Sequence, residues 1–159
     1  MTTSLVLYEL LPQNLEEMIQ SAKKRGPKRD AGLDLATTTA IALDVARGLH
    51  YLHHCGVSHG CLSSRKVMVT SSGRAKLLYT PGQGVAGEQL GPAGDLYHLG
   101  LVLYEMAVGR KPDPNEVEVA YKEVPEPRLR EVVRRCLDAA ADARPTTDEF
   151  VDMLKLLRN

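Results

Sequence analysis

Apolar positions along this chain switch between strand-like and helix-like spacing, and the switches divide it into elements. Leu5 to Leu11 is apolar and β-compatible until Pro12 stops it, which predicts one short strand and a hinge. Asn14 with Glu17 three residues on is a helix-start signature, and Leu15, Met18 and Ile19 share one face of the short helix that should follow. Ile41, Val45, Leu49 and Leu52 recur at steps of three and four, so an amphipathic helix is expected from Thr37 to Leu52, ended by Gly56. Val67-Met68-Val69 and Ala75-Lys76-Leu77-Leu78 flank Ser71-Ser72-Gly73, the pattern of a small hairpin with glycine in its turn. From Asp95 to Val108 apolar residues lie on every side of the helical wheel, which marks a helix buried all round. Leu129, Val132, Val133, Cys136 and Leu137 form one stripe, and Phe150, Met153, Leu154 and Leu157 another, for two closing helices. Thr146 and Glu149 supply the second of these with a capping box.

Composition excludes more than it selects. A length of 159 residues suits one domain with its own core. Lys and Arg total 20, as do Asp and Glu, so no net charge points to nucleic acid or an anionic membrane. Cys55, Cys61 and Cys136 are odd in number and lack paired spacing, which argues against a disulfide scaffold or a structural zinc site and for a reducing, cytoplasmic setting. No apolar run is long enough for a membrane span, and the start lacks a secretory pattern. The run Lys23-Lys24-Arg25-Gly26-Pro27-Lys28-Arg29 reads as a solvated loop, with nuclear import or phosphate docking as the functional alternative.

Three candidate chemistries weigh less than they first suggest. Gly82, Gly84 and Gly87 spell GxGxxG, but Gly91-Pro92 is expected to prevent a helix from opening directly after it, so the nucleotide fingerprint is discounted. Cys61 with His59 two residues away invites a nucleophile reading; with no third orienting group evident, a bystander thiol is preferred. His53 and His54 are neighbours, about 100° apart on a helix, and make a poor metal pair, so no metal site is expected and both read as surface or rim residues.

The segment Ser58-His59-Gly60-Cys61-Leu62-Ser63-Ser64-Arg65-Lys66-Val67-Met68-Val69 resembles a protein kinase catalytic loop with its chemistry removed. The family pattern is His-Arg-Asp-Leu-Lys-x-x-Asn and three apolar residues, in which Asp accepts the substrate proton and Asn holds magnesium. His59, Leu62 and Val67 to Val69 match; Gly60, Cys61, Ser63 and Lys66 stand in the Arg, Asp, Lys and Asn positions. Four flanking blocks follow the family order. Ser4 to Pro12 resembles the strand and hinge between the kinase lobes, and Ile41 to His53 the helix before the loop. Gly94 to Met106, with the Gly109-Arg110-Lys111-Pro112 exit, resembles the central buried helix, and Ala143-Arg144-Pro145-Thr146 the entry to the last helix.

The resemblance implies the mainly helical C-terminal lobe of a protein kinase-like fold, nearest the tyrosine kinase-like and receptor-like group, within an α+β family. Residues 1–12 would be an orphan hinge strand and hinge and 13–159 the helical lobe with one small hairpin, the phosphate-binding upper lobe being absent. Tyr79-Thr80-Pro81 falls where the family has its metal-binding Asp-Phe-Gly, and the link to Ala86-Gly87-Glu88 is short, leaving Thr80 a poor phosphosite. By resemblance Glu88 pairs with Arg144, and loss of one partner from such a buried pair costs roughly 3 to 5 kcal/mol. Asp95 should cap the central helix and receive loop amides, Gly100 belongs to the same scaffold, and His59 packs the loop rather than moving protons. Tyr8 as gatekeeper, Glu9 and Leu11 as hinge and Met68 as cleft floor are the relic of an adenine site. ATP and magnesium, the family's cofactors, should bind weakly or not at all.

The function expected is that of a pseudokinase lobe acting as a protein-binding or scaffolding module. The alternatives are part of a divergent or split ATP-dependent protein kinase, which keeps an enzyme reading open, and a decayed gene fragment. Apolar hinge and cleft-floor surface predicts a protein partner, either a separate kinase upper lobe or a second copy, or else poor solubility.

Overall fold

The computed structural model describes residues 11–25, 31–81 and 91–159. The chain is mostly helical around one small antiparallel sheet, the architecture that the resemblance implies. The expected strand from Leu5 to Leu11 lies almost wholly outside the described residues.

Strand β1 (Gln13–Asn14) runs directly into helix α1 (Leu15–Arg25). The junction is a reciprocal cap: Glu17 N donates to Asn14 Oδ1 at 2.9 Å, and Asn14 N donates to Glu17 Oε2 at 3.0 Å. Lys23, Lys24 and Arg25, expected in a loop, form the last turn of α1 instead. Cations at that end face the negative pole of the helix and extend it.

Helix α2 (Leu35–His54) starts two residues before the expected Thr37. The reason is Asp34, whose carboxylate accepts from Thr37 N at 2.9 Å and from the Thr37 hydroxyl at 2.7 Å. Ile41, Val45 and Leu49 are buried on its inner face, and Gly56 leaves the helix at φ +73°.

Strands β2 (Val67–Val69) and β3 (Ala75–Leu77) form the expected hairpin, Met68 opposite Lys76, with Gly73 turning at φ +81°. Asp44 on α2 holds it, accepting Arg74 Nε at 2.8 Å, Arg74 Nη2 at 2.9 Å and Ala75 N at 3.0 Å. β1 adds a third strand, pairing Gln13 with Val69 and Asn14 with Met68. The sequence reading did not foresee this pairing, because two residues are too few to show alternation.

Helix α3 (Gly91–Val108) opens four residues before Asp95. The expected block at Gly91-Pro92 does not exist: proline in a first turn gives up an amide that has no intrahelical acceptor anyway. Leu96, Leu99, Leu103, Tyr104 and Met106 are all buried, as the apolar wheel predicts. The end of α3 is clasped by the segment before α2, where Leu33 N donates to Met106 O at 2.6 Å and Gly32 packs on the Ala107 carbonyl with no room for a β-carbon.

A short helix α4 (Val117–Ala120), absent from the sequence reading, precedes the closing pair. Helix α5 (Pro127–Cys136) begins at the Glu126 carboxylate, which accepts Leu129 N at 2.6 Å, and lies along α3. Helix α6 (Thr147–Leu157) carries the expected box, Glu149 N donating to the Thr146 hydroxyl and Thr146 N to the Glu149 carboxylate, and packs on α2.

Gly100 lets α3 and α5 approach: a β-carbon there would meet Cys136 Cβ at 2.6 Å and Leu137 Cδ2 at 3.2 Å. Gly100→Ala should therefore lower the unfolding free energy by roughly 1 to 3 kcal/mol through overpacking. Urea denaturation checks this, with the exposed Leu156→Ala as a near-neutral control; an unchanged midpoint for Gly100→Ala would contradict the close approach.

Candidate functional site

The loop between α2 and β2 is built on Asp95, whose side chain is fully buried in α3. One carboxylate oxygen accepts His59 N at 2.8 Å and the other Gly60 N at 2.9 Å. His53 Nε2 donates to the same carboxylate at 2.7 Å. Asp95 thus receives the loop amides, but it does not cap α3, because the helix begins at Gly91. His53, expected at the rim, is a half-buried partner of this charge, while its neighbour His54 is exposed. Their opposite fates follow from the 100° step between adjacent helical residues.

His59 is buried and both of its ring nitrogens are engaged. Nε2 lies 2.8 Å from Leu78 O and must donate, since a carbonyl only accepts, and Nδ1 accepts Cys61 N at 3.3 Å. This assigns the neutral Nε2–H tautomer and leaves no free nitrogen to move a proton. The ring also packs edge-on against Tyr79, centroids 5.7 Å apart. Gly60 sits at φ +79°, in the left-handed region where a side chain is strained.

Cys61 is half-buried, and the imidazole atom nearest it in sequence is spent on its amide rather than its thiol. Ser63 accepts Lys66 N at 2.9 Å and closes a 3₁₀ turn over Ser64–Lys66. Lys66 in turn accepts Leu78 N at 2.7 Å through its carbonyl, joining the loop to the strand exit. Arg65 and Lys111 both donate to Glu16, at 2.7 and 2.9 Å, tying α1 to the loop and to the exit of α3. Lys111 first and then Arg65 hold the Glu16 carboxyl below its ordinary range. Of the other thiols, Cys55 is exposed, and burial pushes Cys136 up to about 12.

Arg144 is buried and joins the first turn of α3 to the segment that follows α5. It donates from Nε to Asp138 O at 2.8 Å and from Nη1 to Ala93 O at 3.1 Å, and its guanidinium lies 4.8 Å from the centre of the Tyr97 ring. Glu88, its expected partner, lies outside the described residues, as do Tyr8, Glu9 and the GxGxxG glycines. Leu11 and Met68 are half-buried, with Met68 on the central strand of the sheet. Among the described residues no group of three or more metal-capable side chains converges.

The sequence reading missed a cavity of about 330 Å³ beneath the loop, bounded by Leu62, Ser64, His98, Glu105, Pro112 and Val117. Burial holds the Glu105 carboxyl above its ordinary value, against smaller downward pulls from Ser64 and Lys111. Ser64 Oγ is near enough to favour the charged carboxylate, yet finds no partner within hydrogen-bond limits among the described residues. Burial likewise lowers His98 below the usual histidine value. The available signal was Glu105 itself, a charge on a helix otherwise buried all round.

Comparison with known proteins agrees with this geometry. Residues 2–80 match the family model described as protein tyrosine and serine/threonine kinase. The chain is 29% identical to a calmodulin-binding receptor kinase of Arabidopsis thaliana, over 73% of this chain and 18% of that protein. It is 28% identical to the serine/threonine-protein kinase VIK of the same plant, over 82% of this chain and 39% of that one. It is 25% identical to the human retinal guanylyl cyclase 2, over 80% and 16%. The chain therefore spans well under half the length of each of these relatives.

Two outcomes follow. Asp95→Ala leaves two buried amides and one imidazole without an acceptor and should cost roughly 3 to 5 kcal/mol in urea unfolding; a loss below about 1 kcal/mol would show that the loop does not hang on this residue. Glu105 has a folded pKa above its unfolded one, so its contribution is fully present below pH 4.5 and is lost as pH rises through the folded value. Glu105→Gln should accordingly gain stability relative to the parent between pH 4 and pH 7, read as the difference in melting temperature. Taking the difference removes the opposite trend from His98, which loses stability as pH falls.

Proposed function

This chain belongs to the protein kinase family, and within it we propose that it serves as a pseudokinase lobe: a protein-binding or scaffolding module without phosphotransfer of its own. The observation that carries the reading is the contrast around Asp95. The anchor that shapes the loop is in place, with both amides bound at 2.8 and 2.9 Å, while the groups that the shape would serve are replaced.

Phosphoryl transfer depends on positioned charge more than on covalent chemistry, so substitutions at charged positions weigh heavily. Cys61 stands where a carboxylate would accept the substrate proton, and Lys66 puts a cation where an amide would hold magnesium. Tyr79 packs on His59 where a metal-binding carboxylate is expected. Nucleotide binding is proposed to be weak or absent. The cavity beside Glu105 is then the natural place for a protein segment to dock, and the free thiols of Cys55 and Cys61 suit a reducing, intracellular setting.

The second reading, part of a divergent or split ATP-dependent kinase, is favoured by the kinase names of the relatives and by the small share of each that the chain spans. The two separate experimentally. With ATP and magnesium the melting temperature should stay within error of the unliganded chain, and no phosphate should reach a generic protein acceptor even when a separately made kinase upper lobe is added. A clear rise in melting temperature, or transfer that a Lys66→Asn, Cys61→Asp chain enhances, would favour the split kinase. The scaffold reading also expects self-association or association with that upper lobe in light scattering; a monodisperse monomer that ignores it counts against the reading.

A further inference from the structure

We propose that His50 and His54 form a chelating site for a divalent transition ion of the zinc, nickel or copper type at the C-terminal end of α2. The two residues are four apart, so they share one helix face one turn apart. Their rings lie nearly parallel, 18° between planes and 6.5 Å between centroids, and both residues are exposed.

The environment of His50 favours a ligand. Its Nδ1 is 3.2 Å from the Thr147 hydroxyl and 3.4 Å from Asp148 Oδ1, both in the first turn of α6. An Nδ1–H donated to the Thr147 hydroxyl leaves the lone pair on Nε2, and the Asp148 carboxylate 3.4 Å from the same Nδ1 places negative charge behind the ring, as outer partners of metal-binding imidazoles do. His54 makes no hydrogen bond among the described residues, and its ring stacks on that of His50. A shared ion would require one nitrogen of each ring at about 2.0 to 2.1 Å, with waters completing the shell. The negative pole at the end of α2 adds to the attraction for a cation.

Imidazole selects zinc, nickel and copper over magnesium and calcium, whose ligands are oxygens. With two protein ligands the ion would sit on the surface as a staple between neighbouring turns of α2, with Asp148 carrying its influence to α6. Cys55, exposed and next to His54, is the competing soft ligand and needs its own control.

Calorimetric titration of the full chain with zinc or nickel chloride at pH 7.5 is expected to show one ion per chain, reversed by EDTA and matched by no heat from magnesium or calcium. His50→Ala and His54→Ala should each weaken binding by on the order of tenfold or more, and Asp148→Asn by less. Cys55→Ser should leave it unchanged. Because an imidazole binds a metal through a neutral nitrogen, binding should release protons and weaken as the pH is lowered. Parent-like binding by His54→Ala, loss of binding in Cys55→Ser, or no heat with either metal would each overturn the site. All four positions are on the surface of helices or at a helix end, and circular dichroism confirms that each variant is folded.

Discussion

A buried carboxylate without partners would be among the costliest features this chain could carry, and Asp95 is tolerable inside α3 because three donors converge on it. Two of those donors are successive amides of the loop and the third is His53 at the end of α2. Satisfying the charge therefore fixes the position of the loop relative to two helices at once. The remaining loop geometry follows from it: His59 is turned inward onto Leu78, Cys61 is held by the back of that ring, and the 3₁₀ turn delivers Lys66 to the first residue of β2.

That arrangement makes the path of the loop depend little on the residue types at most of its positions. The bonds that define its path use backbone amides and carbonyls, together with His59 and Asp95. Cys61, Ser63 and Lys66 contribute main-chain atoms to it, which any residue supplies. At Cys61 and Ser63 this backbone frame does not depend on the chemical character of the side chain. Gly60 is the exception, since its left-handed conformation makes the backbone itself dependent on the residue type.

Outside the loop, α3 distributes the same constraint through the lobe. Gly100 admits α5 to close range, Arg144 ties the first turn of α3 to the end of α5, and Gly32 admits the segment before α2 to the last turn. Small residues and one buried guanidinium thus set the helix spacings around a mostly buried pillar. Glu105 borders a cavity in this packing, and Ser64 and His98, which also line it, carry buried polar atoms without hydrogen-bond partners among the described residues.

Local periodicity by itself determined α1, α2, α3, α5, α6 and the hairpin, because hydrophobic spacing reports which face of an element is buried without naming what buries it. Motif order along the chain likewise pointed to the family and to Asp95, Gly100 and Arg144 as scaffold. Helix ends came out less well: Asp34 moved the start of α2, and Pro92 admitted an earlier start for α3, since caps act through single side chains that carry no period. Three features needed the tertiary structure. The two-residue β1 exists only because β2 lies beside it, His53 and His54 part company only because Asp95 lies on one side of α2, and the cavity at Glu105 exists only where three segments distant in sequence fail to close. In each case the deciding energy comes from contacts between segments, and a linear pattern does not encode which segments will meet.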